Sequence, residues 1–312
     1  MRIVGGASWY NLEVRNGIAA LAAGLCAIPS AQAVPANTQD VVWIASGWFT
    51  YGADEDDLEH ARRLCVRERA RAGLRLHPCA SDAAFADELP ARRVFLSDFG
   101  IDRREVSQAE HSRCTQAGEC DPPAFVSEHP GLAAPELPAI GLTHAQAEAL
   151  CRFRGGRLPT EAEWEGAVRG DSARRFPWGS FYNPGLANHG APASAVDIQV
   201  GDGAEEDGFA HLAPIWAFAT ARGPHGLVQA AGNAWEWTAD SFAGVRAQPP
   251  GVDPVVALDN GERVVRGGSF RSPALALRVT HREARAERQA YPDVGVRCAY
   301  SLRSGSGAQK PP

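Results

Sequence analysis

The chain has 312 residues, 45% of them hydrophobic, which allows one large domain or two average ones with a sizeable core. The formal net charge is −6, and Lys310 is the only lysine among the basic residues. No basic stripe interleaved with aromatic residues stands out in the sequence, so nucleic-acid binding is not expected.

The N-terminus has the order of a secretory signal peptide: arginines, an apolar run over 18–28, and a small-x-small site that ends at Ala33. The apolar run is too short to span a bilayer comfortably. Leu25 precedes Cys26, where a lipoprotein signal needs a small residue, so release is favoured over anchoring. We therefore expect a signal peptide over 1–33, a linker over 34–40, no membrane span, and a secreted or periplasmic protein.

The next segments carry strand and helix patterns. Residues 41–54 mix β-branched and aromatic residues with two glycines, which predicts a strand and a turn. Residues 54–73 are charged with apolar positions at helical spacing, which predicts an exposed amphipathic helix. A further strand is predicted over 94–99.

Three helices are predicted from capping signals. Each begins with a hydroxyl residue followed three positions later by Glu or Gln, an arrangement that satisfies backbone N–H groups at a helix start. The pairs are Ser107 with Glu110, Thr143 with Gln146, and Thr160 with Glu163.

From Gly155 to Cys298, glycine, proline and tryptophan are frequent and the regular patterns are short. This indicates an irregular, loop-rich core and not a parallel sheet, and no phosphate-binding loop precedes a helix. One domain over 41–301 is the simpler interpretation, followed by a disordered polar tail over 302–312.

Six cysteines remain after the signal peptide, and an even number in an oxidising compartment favours disulfides. Local pairing joins Cys65 to Cys79 and Cys114 to Cys120, which leaves Cys151 and Cys298. Six cysteines allow fifteen connectivities, so the sequence leaves the pairing open. No C-x2-C spacing supports a zinc site.

Several motifs in order carry a family resemblance. They are GRLPTEAEWE (156–165), FPWG (176–179), AGNAWEW (231–237), RVVRGGSF (263–270) and VGVRC (294–298). The chain resembles the formylglycine-generating enzyme family, also called sulfatase-modifying factors, and residues 41–54 and 90–94 match its N-terminal part. The resemblance implies an irregular α+β fold related to C-type lectins with little regular secondary structure, and it makes about 55–89 an insert.

The resemblance also implies two structural calcium sites. The residues at the first are Asn188, His189, Asp207 and Phe209, and those at the second are Gln229, Gly232, Ala234 and Glu236. Carboxylate, amide and carbonyl oxygens suit a hard cation such as calcium. Gln229 stands where the family usually has Asn or Asp, so the second site is the weaker match. The tryptophans Trp164, Trp235 and Trp237 are expected to pack in the core.

The family disulfide between the central helix and the last strand corresponds to Cys151 and Cys298. A second family disulfide is lost, because Val168 and Arg282 stand at its positions. Family enzymes hold Cu(I) between two thiolates and use it with oxygen to convert a substrate cysteine to formylglycine. Here Ser272 and Leu277 replace those thiolates, and soft Cu(I) selects sulfur ligands. Copper binding and formylglycine synthesis are therefore not expected.

The motif keeps the pocket serine Ser269, but a serine without a base is weak evidence of catalysis. Polar residues follow it in the sequence: Arg271, Ser272, Arg278, His281, Arg282, Glu283 and Arg285. Alternation along a strand predicts that about half of them face the former pocket, where arginines suit an anionic ligand.

Two functions stay open. The favoured one is a binding module for an unknown peptide or small molecule, without catalysis. The alternative is an oxidoreductase of altered chemistry, by analogy with a periplasmic relative that acts in pyoverdine maturation. Convergence of His281, Glu283 and Ser272 would favour the enzyme, and a filled cleft would favour the binding module.

Overall fold

The computed structural model describes residues 40–73, 79, 82–124, 130–172, 174–190, 207–243 and 251–302. The predicted signal peptide and the tail from 303 onward lie outside these residues, as does the linker up to 39. In the described part of the chain, no helix is long and apolar enough to cross a bilayer.

Short strands and four α-helices make up the regular structure of these residues. The strands are β1 (Val41–Ile44), β2 (Gly47–Tyr51), β3 (Arg92–Leu96), β4 (Phe99–Asp102), β5 (Trp235–Ser241), β6 (Glu262–Arg266), β7 (Arg282–Ala286), β8 (Val294–Gly295) and β9 (Ala299–Ser301). The helices are α1 (Glu55–Arg71), α2 (Gln108–Gln116), α3 (His144–Phe153) and α4 (Glu161–Arg169). Four 3₁₀ segments are Asp82–Glu88, Pro130–Leu132, Pro184–Leu186 and Ala274–Leu277. The predicted α+β class with little regular structure is confirmed.

The strands form three small sheets. β4 pairs antiparallel with both β1 and β9, which brings the N-terminal part of the domain beside its last strand. β2 and β3 form an antiparallel pair. The largest sheet has the order β7-β6-β5-β8, with β5 and β8 parallel. This sheet positions the motifs. β5 contains the Trp-Glu-Trp of AGNAWEW, and β6 leads into the turn at Gly267, Gly268 and Ser269, called here the glycine-serine turn.

The three predicted capping boxes are all present. The side chains of Ser107, Thr143 and Thr160 each accept from the backbone N–H three residues later, and the third-position side chain accepts from the cap in return. Their helices α2, α3 and α4 begin directly after these caps. The prediction holds because such a box satisfies two backbone donors locally, whatever the rest of the chain does.

Helix α1 is amphipathic as predicted, but it is more than a surface helix. Leu58, Ala61 and Leu64 are buried on its inner face, while Val66 is 63% exposed on the outer one. The charged Asp57 is buried too, and its carboxylate accepts from Arg169 of α4 at 3.1 Å. The insert is therefore docked on the domain through both apolar and ionic contacts.

The strand prediction over 94–99 was wrong in extent. The single strand over 94–99 is two strands, β3 and β4, because the chain leaves the ladder between them: Ser97 donates from its backbone N and its Oγ to the Asp253 carboxylate, each at 2.7 Å. The motif over 263–277 is a strand only as far as Arg266. Beyond it, Gly267 and Gly268 have φ of 95° and 80°, which turns the chain away from the sheet.

The core contains the three family tryptophans, as predicted: Trp164, Trp235 and Trp237 are each at most 1% exposed. The structure contains three disulfides, Cys65–Cys79, Cys114–Cys120 and Cys151–Cys298. The last one joins α3 to the segment just before β9, and both of its sulfurs lie in the main apolar cluster. The partners of the lost family disulfide differ in fate, since Val168 is core and Arg282 forms an ion pair.

Candidate functional site

The first thiolate position, Ser272, lies in a buried hydrogen-bonded turn. The backbone N of Ser269 donates to Ser272 Oγ at 2.9 Å, and the backbone N of Ser272 donates to the Ser269 carbonyl at 2.9 Å. Ser269 Oγ in turn donates to Asp293 Oδ2 at 3.1 Å. The hydroxyl of Ser272 thus stabilises the turn, and no histidine is among its hydrogen-bond partners in the described residues. A buried serine without a base is poorly placed to act as a nucleophile.

The second thiolate position, Leu277, is filled with hydrocarbon. Leu277 is 1% exposed and belongs to an apolar cluster with Leu64 of α1 and Phe176 of the FPWG motif. The packing is close, since a Cβ added at Gly268 would lie 2.7 Å from Leu277 Cδ2. A hydroxyl and an isobutyl group offer no soft ligand, so these residues do not fit Cu(I).

The insert also contacts the polar segment through Glu88, which the sequence analysis missed. Arg278 donates to both oxygens of this buried carboxylate at 2.8 and 2.7 Å, and Thr280 Oγ1 donates to it at 2.7 Å. Burial alone would raise the pKa of Glu88, but Arg278 and His281 hold that pKa well below its ordinary value. These contacts form a buried ion pair that holds the insert, residues 55–89, next to Leu277.

His281 lies between two carboxylates. Its Nδ1 is 3.3 Å from Glu88 Oε1 and its Nε2 is 3.4 Å from Glu283 Oε1. Burial lowers the pKa of His281, yet the hydrogen bonds to Glu283 and Glu88 outweigh burial and raise that pKa above its ordinary value. Burial likewise opposes ionisation of Glu283, but His281 and Arg285 lower its pKa to about 2. Glu88 and Glu283 thus favour the protonated form of His281, and His281 favours the ionised form of both carboxylates.

The predicted catalytic candidates fall into two groups. His281 and Glu283 share one hydrogen-bonded network, whereas Ser272 belongs to the network of Ser269 and Asp293. Trp235 lies between these groups: its ring is 5.9 Å from the His281 ring, and its backbone N donates to the Asp293 carbonyl at 2.9 Å. No hydrogen bond within the described residues joins Ser272 to His281. The convergence that would favour an enzyme is not seen.

A buried ionic layer lies beneath this region. Arg266 of β6 donates to Glu161 at 2.8 Å and to Glu165 at 2.7 Å, both on α4. Arg282 of β7 donates to the two oxygens of Glu161 at 2.7 and 2.6 Å. These arginines hold α4 on the large sheet. Most charged side chains between positions 271 and 285 therefore form structural ion pairs. The sequence predicts that side chains between 271 and 285 alternate between the two faces of a strand, but within this segment only β7 is a strand.

The first predicted calcium site brings its four residues together. The Asp207 carboxylate accepts from the backbone N of His189 and from that of Phe209, each at 2.8 Å. Asn188 is completely buried, and within the described part of the chain its Oδ1 has no hydrogen-bond partner. An orphaned buried oxygen is what a missing hard cation would leave. The residues at this site fit calcium.

The second predicted site fits less well. Gln229 Oε1 is buried without a hydrogen-bond partner from any described residue, in keeping with a missing cation. The Glu236 carboxylate, however, accepts from Arg297 Nη2 at 2.7 Å and from Trp164 Nε1 at 2.6 Å. An arginine already neutralises this carboxylate, so it is a poorer ligand than the sequence suggests.

A carboxylate that the sequence analysis missed, Glu105, lies next to this site. Its oxygens accept from Asn233 Nδ2 at 2.7 Å and from the backbone N of Ala234 at 3.1 Å. Burial and the neighbouring Glu236 raise the pKa of Glu105 to about 8. Glu105 is followed by Val106, a residue type common in strands, and by Ser107, the cap of α2. This local sequence contains no sign that Glu105 lies at a predicted metal site.

Asn233 connects the two predicted sites. Its Oδ1 accepts from Asn188 Nδ2 at 3.0 Å, while its Nδ2 donates to Glu105. Its φ of 65° places it in the left-handed region, which asparagine tolerates better than most residues. The AGNAWEW motif thus depends on asparagine for both backbone shape and hydrogen bonding.

Comparisons with known proteins agree with this geometry. The family model described as the sulfatase-modifying factor enzyme 1-like domain matches residues 27–302. Inactive C-alpha-formylglycine-generating enzyme 2 of Bos taurus is 35% identical over 183 residues, which cover 57% of this chain and 52% of that protein. Formylglycine-generating enzyme of Bos taurus is 30% identical over 258 residues, which cover 68% of each.

The chain spans about half the length of the inactive relatives it matches. Among solved structures, PvdO from Pseudomonas aeruginosa superposes with a TM-score of 0.60 at 19% identity, over 84% of this chain and 94% of PvdO. At that identity the likeness concerns the fold alone. With a family model that covers most of the sequence and motifs that form one continuous region, the chain belongs to the sulfatase-modifying factor enzyme 1-like family, which includes the formylglycine-generating enzymes.

Proposed function

We propose that this protein is a non-catalytic ligand- or partner-binding member of its family that acts in an oxidising compartment. The observation that carries the proposal is the state of the two thiolate positions: Ser272 is bound within a turn, and Leu277 is buried against α1. Relatives named inactive are among the most similar proteins, which agrees with loss of the family reaction. Three disulfides support a secreted or periplasmic location.

A direct test of the proposal is Cu(I) binding measured by competition with a colorimetric chelator under anaerobic conditions. The wild-type protein is expected to leave the Cu(I) with the chelator, because Ser272 and Leu277 provide no sulfur. The matched control is the double variant Ser272→Cys with Leu277→Cys, which is expected to withdraw about one equivalent of Cu(I). Stoichiometric copper binding by the wild type would refute the proposal.

The alternative, an oxidoreductase of altered chemistry, draws on the fold shared with PvdO but lacks a supporting constellation in the described residues. His281 and Glu283 are the groups that such chemistry would recruit, and both are engaged with Glu88 or Arg285. Oxygen consumption by the purified protein that His281→Gln abolishes would favour this alternative over the binding module.

We also propose that calcium binds at the first site. Asn188 Oδ1, the Asp207 carboxylate and backbone carbonyls of His189 and Phe209 are the ligands the family resemblance implies, and the orphaned Asn188 oxygen supports it. When bound, calcium would neutralise the Asp207 carboxylate and hold it close to the Asn188 amide oxygen.

Calcium at 100 times its dissociation constant is expected to stabilise the fold by about 2.7 kcal/mol, because a ligand of the native state shifts the unfolding equilibrium. The measurement is the melting temperature with calcium and with EDTA. In Asn188→Ala the calcium-dependent shift should shrink or vanish. The control, Asn183→Ala, removes an exposed cap and should keep the shift. Equal melting temperatures of the wild type in calcium and EDTA would contradict the proposal.

A further inference from the structure

The arginines that follow the glycine-serine turn are not equivalent. Arg278 is paired with Glu88 and Arg282 with Glu161. Arg285 is paired with Glu283 at 2.6 Å. Arg271 lies beside the turn. Among the four arginines between positions 271 and 285, Arg271 is the one without a carboxylate partner in the described residues.

Arg271 is also held in place. Its Cζ lies 5.1 Å from the centre of the Phe270 ring, and its backbone N donates to Ser269 Oγ at 3.3 Å. Its Nε is buried and has no hydrogen-bond partner among the residues that the structure describes. Leaving such a donor unsatisfied is costly, so an orphaned N–H on a positioned guanidinium indicates that an acceptor is missing.

A second basic side chain contacts the same ring. His211 is exposed, and its ring centre is 5.8 Å from that of Phe270 at an angle of 84°. Like Arg271, His211 forms no ion pair with a carboxylate of the described chain. Arg271 and His211 thus both contact the ring of Phe270, next to the turn that contains Ser269.

The Phe270 platform is rigid. Phe270 is 3% exposed and packs with Leu137, Ile140, Leu212 and Ala234. Its backbone N donates to the Asn233 carbonyl at 2.9 Å. A ligand group would meet Arg271 beside a ring that is already packed in the core, which lowers the entropic cost of binding.

We infer that Arg271 and His211, on the Phe270 platform, form a recognition site for the carboxylate of an acidic peptide. The inference rests on the proposed binding function and names the chemistry of its ligand. A guanidinium presents two parallel N–H donors that match the two oxygens of a carboxylate, and a charge-assisted pair of this kind fixes orientation as well as adding affinity. The side-chain carboxylates of an acidic peptide provide that group on a flexible chain.

The test measures binding of fluorescein-labelled hexaglutamate to the full chain by anisotropy at constant ionic strength. Hexaglutamine is the uncharged probe. We expect hexaglutamate to bind and hexaglutamine not to bind. Arg271→Gln is expected to weaken hexaglutamate binding about tenfold or more, since hydrogen bonds to charged groups are among the stronger ones. Arg271→Lys, which keeps the charge but loses the planar fork, should fall between the two.

The matched control is Arg288→Gln, which removes the same charge from an exposed position and should bind like the wild type. Unaltered melting temperatures of the variants would show that each is folded. Glutarate distinguishes the source of the carboxylate: displacement of the peptide at equal carboxylate concentration identifies a small dicarboxylate as a sufficient ligand. Equal binding of both peptides by the wild type, no binding of either, or equal loss in Arg271→Gln and Arg288→Gln would overturn the inference. Those results would leave the copper test of the proposed function unaffected.

Discussion

Replacing Glu88 with glutamine is expected to lower the free energy of unfolding by about 3–5 kcal/mol, because Arg278 would keep its buried charge and lose its carboxylate. Glu88 is 2% exposed, and its carboxylate accepts from Arg278 Nη1, Arg278 Nη2 and Thr280 Oγ1. Urea denaturation followed by tryptophan fluorescence provides the measurement. The loss should be visible in the midpoint without a change in the slope.

The control for this substitution is Glu59→Gln in the same insert. Glu59 is half-exposed, and its nearest cationic atoms are 3.4 and 3.5 Å away on Arg62 and Arg63. Surface pairs of this kind contribute about 0–1 kcal/mol. If the two variants were equally stable, Glu88 would not fasten the insert.

The Glu88 effect should depend on pH. Because Arg278 and His281 hold the pKa of Glu88 below its ordinary value of 4.5, the carboxylate stabilises the fold above that pH. The stabilisation is lost as pH falls toward the folded-state pKa. The difference in stability between wild type and Glu88→Gln should therefore be largest near neutral pH and become smaller below about pH 4.5.

Removing the disulfide between Cys151 and Cys298 should have a comparably large effect. It closes a loop of 147 residues, and the chain-entropy model gives about 5 kcal/mol for a loop of that length. The double variant with serine at both positions should be less stable by about 2–5 kcal/mol, measured by thermal unfolding under non-reducing conditions.

The matched comparison is the serine pair at Cys114 and Cys120, which closes a loop of only 6 residues. The same model gives about 2 kcal/mol for that bond, so the longer loop should have the larger effect. A free thiol at Cys298 in the native wild type would contradict the pairing, and with it the connection of α3 to the last strand.

Features that depend on neighbours in the sequence were predictable. Thr160 and Glu163 satisfy the backbone of their own helix start, so the pair predicts α4 without knowledge of the fold. The motif tryptophans were assigned to the core because the family resemblance implies that they pack its loops, and all three are buried. Ser272 and Leu277 were identified as replacements for the two thiolates only by their places in the motif.

Features that depend on distant partners were not predictable. Glu88 meets Arg278 across 190 residues, and the local sequence contains no sign of that pairing. Residues 54–73 were expected to form an exposed helix because the segment is rich in charged residues. In the fold, Asp57 and Glu88 are instead paired and buried, which brings Leu64 against Leu277. Arg271 could be separated from the other arginines only after their partners were known.

If the proposed function is correct, these contacts explain how the family fold persists with Ser272 and Leu277 at the thiolate positions. The turn at Ser269 and Ser272 is satisfied by its own hydrogen bonds and by Asp293, so losing the first thiolate leaves no unmet polar group there. The second position accepts leucine because α1 provides an apolar surface against it. Around these two positions the structure contains the four-stranded sheet, the Cys151–Cys298 disulfide and the buried ion pairs.

The most direct test of the account is formylglycine formation. The purified wild-type protein is incubated with a cysteine-containing sulfatase peptide, Cu(I) and oxygen, and the peptide is analysed by mass spectrometry for loss of the thiol and gain of an aldehyde. The formylglycine-generating enzyme of Streptomyces coelicolor, 36% identical over 186 residues, serves as the positive control. We predict that the peptide stays unmodified with this protein and is converted by the control. Conversion of the cysteine by the wild-type protein would contradict the account.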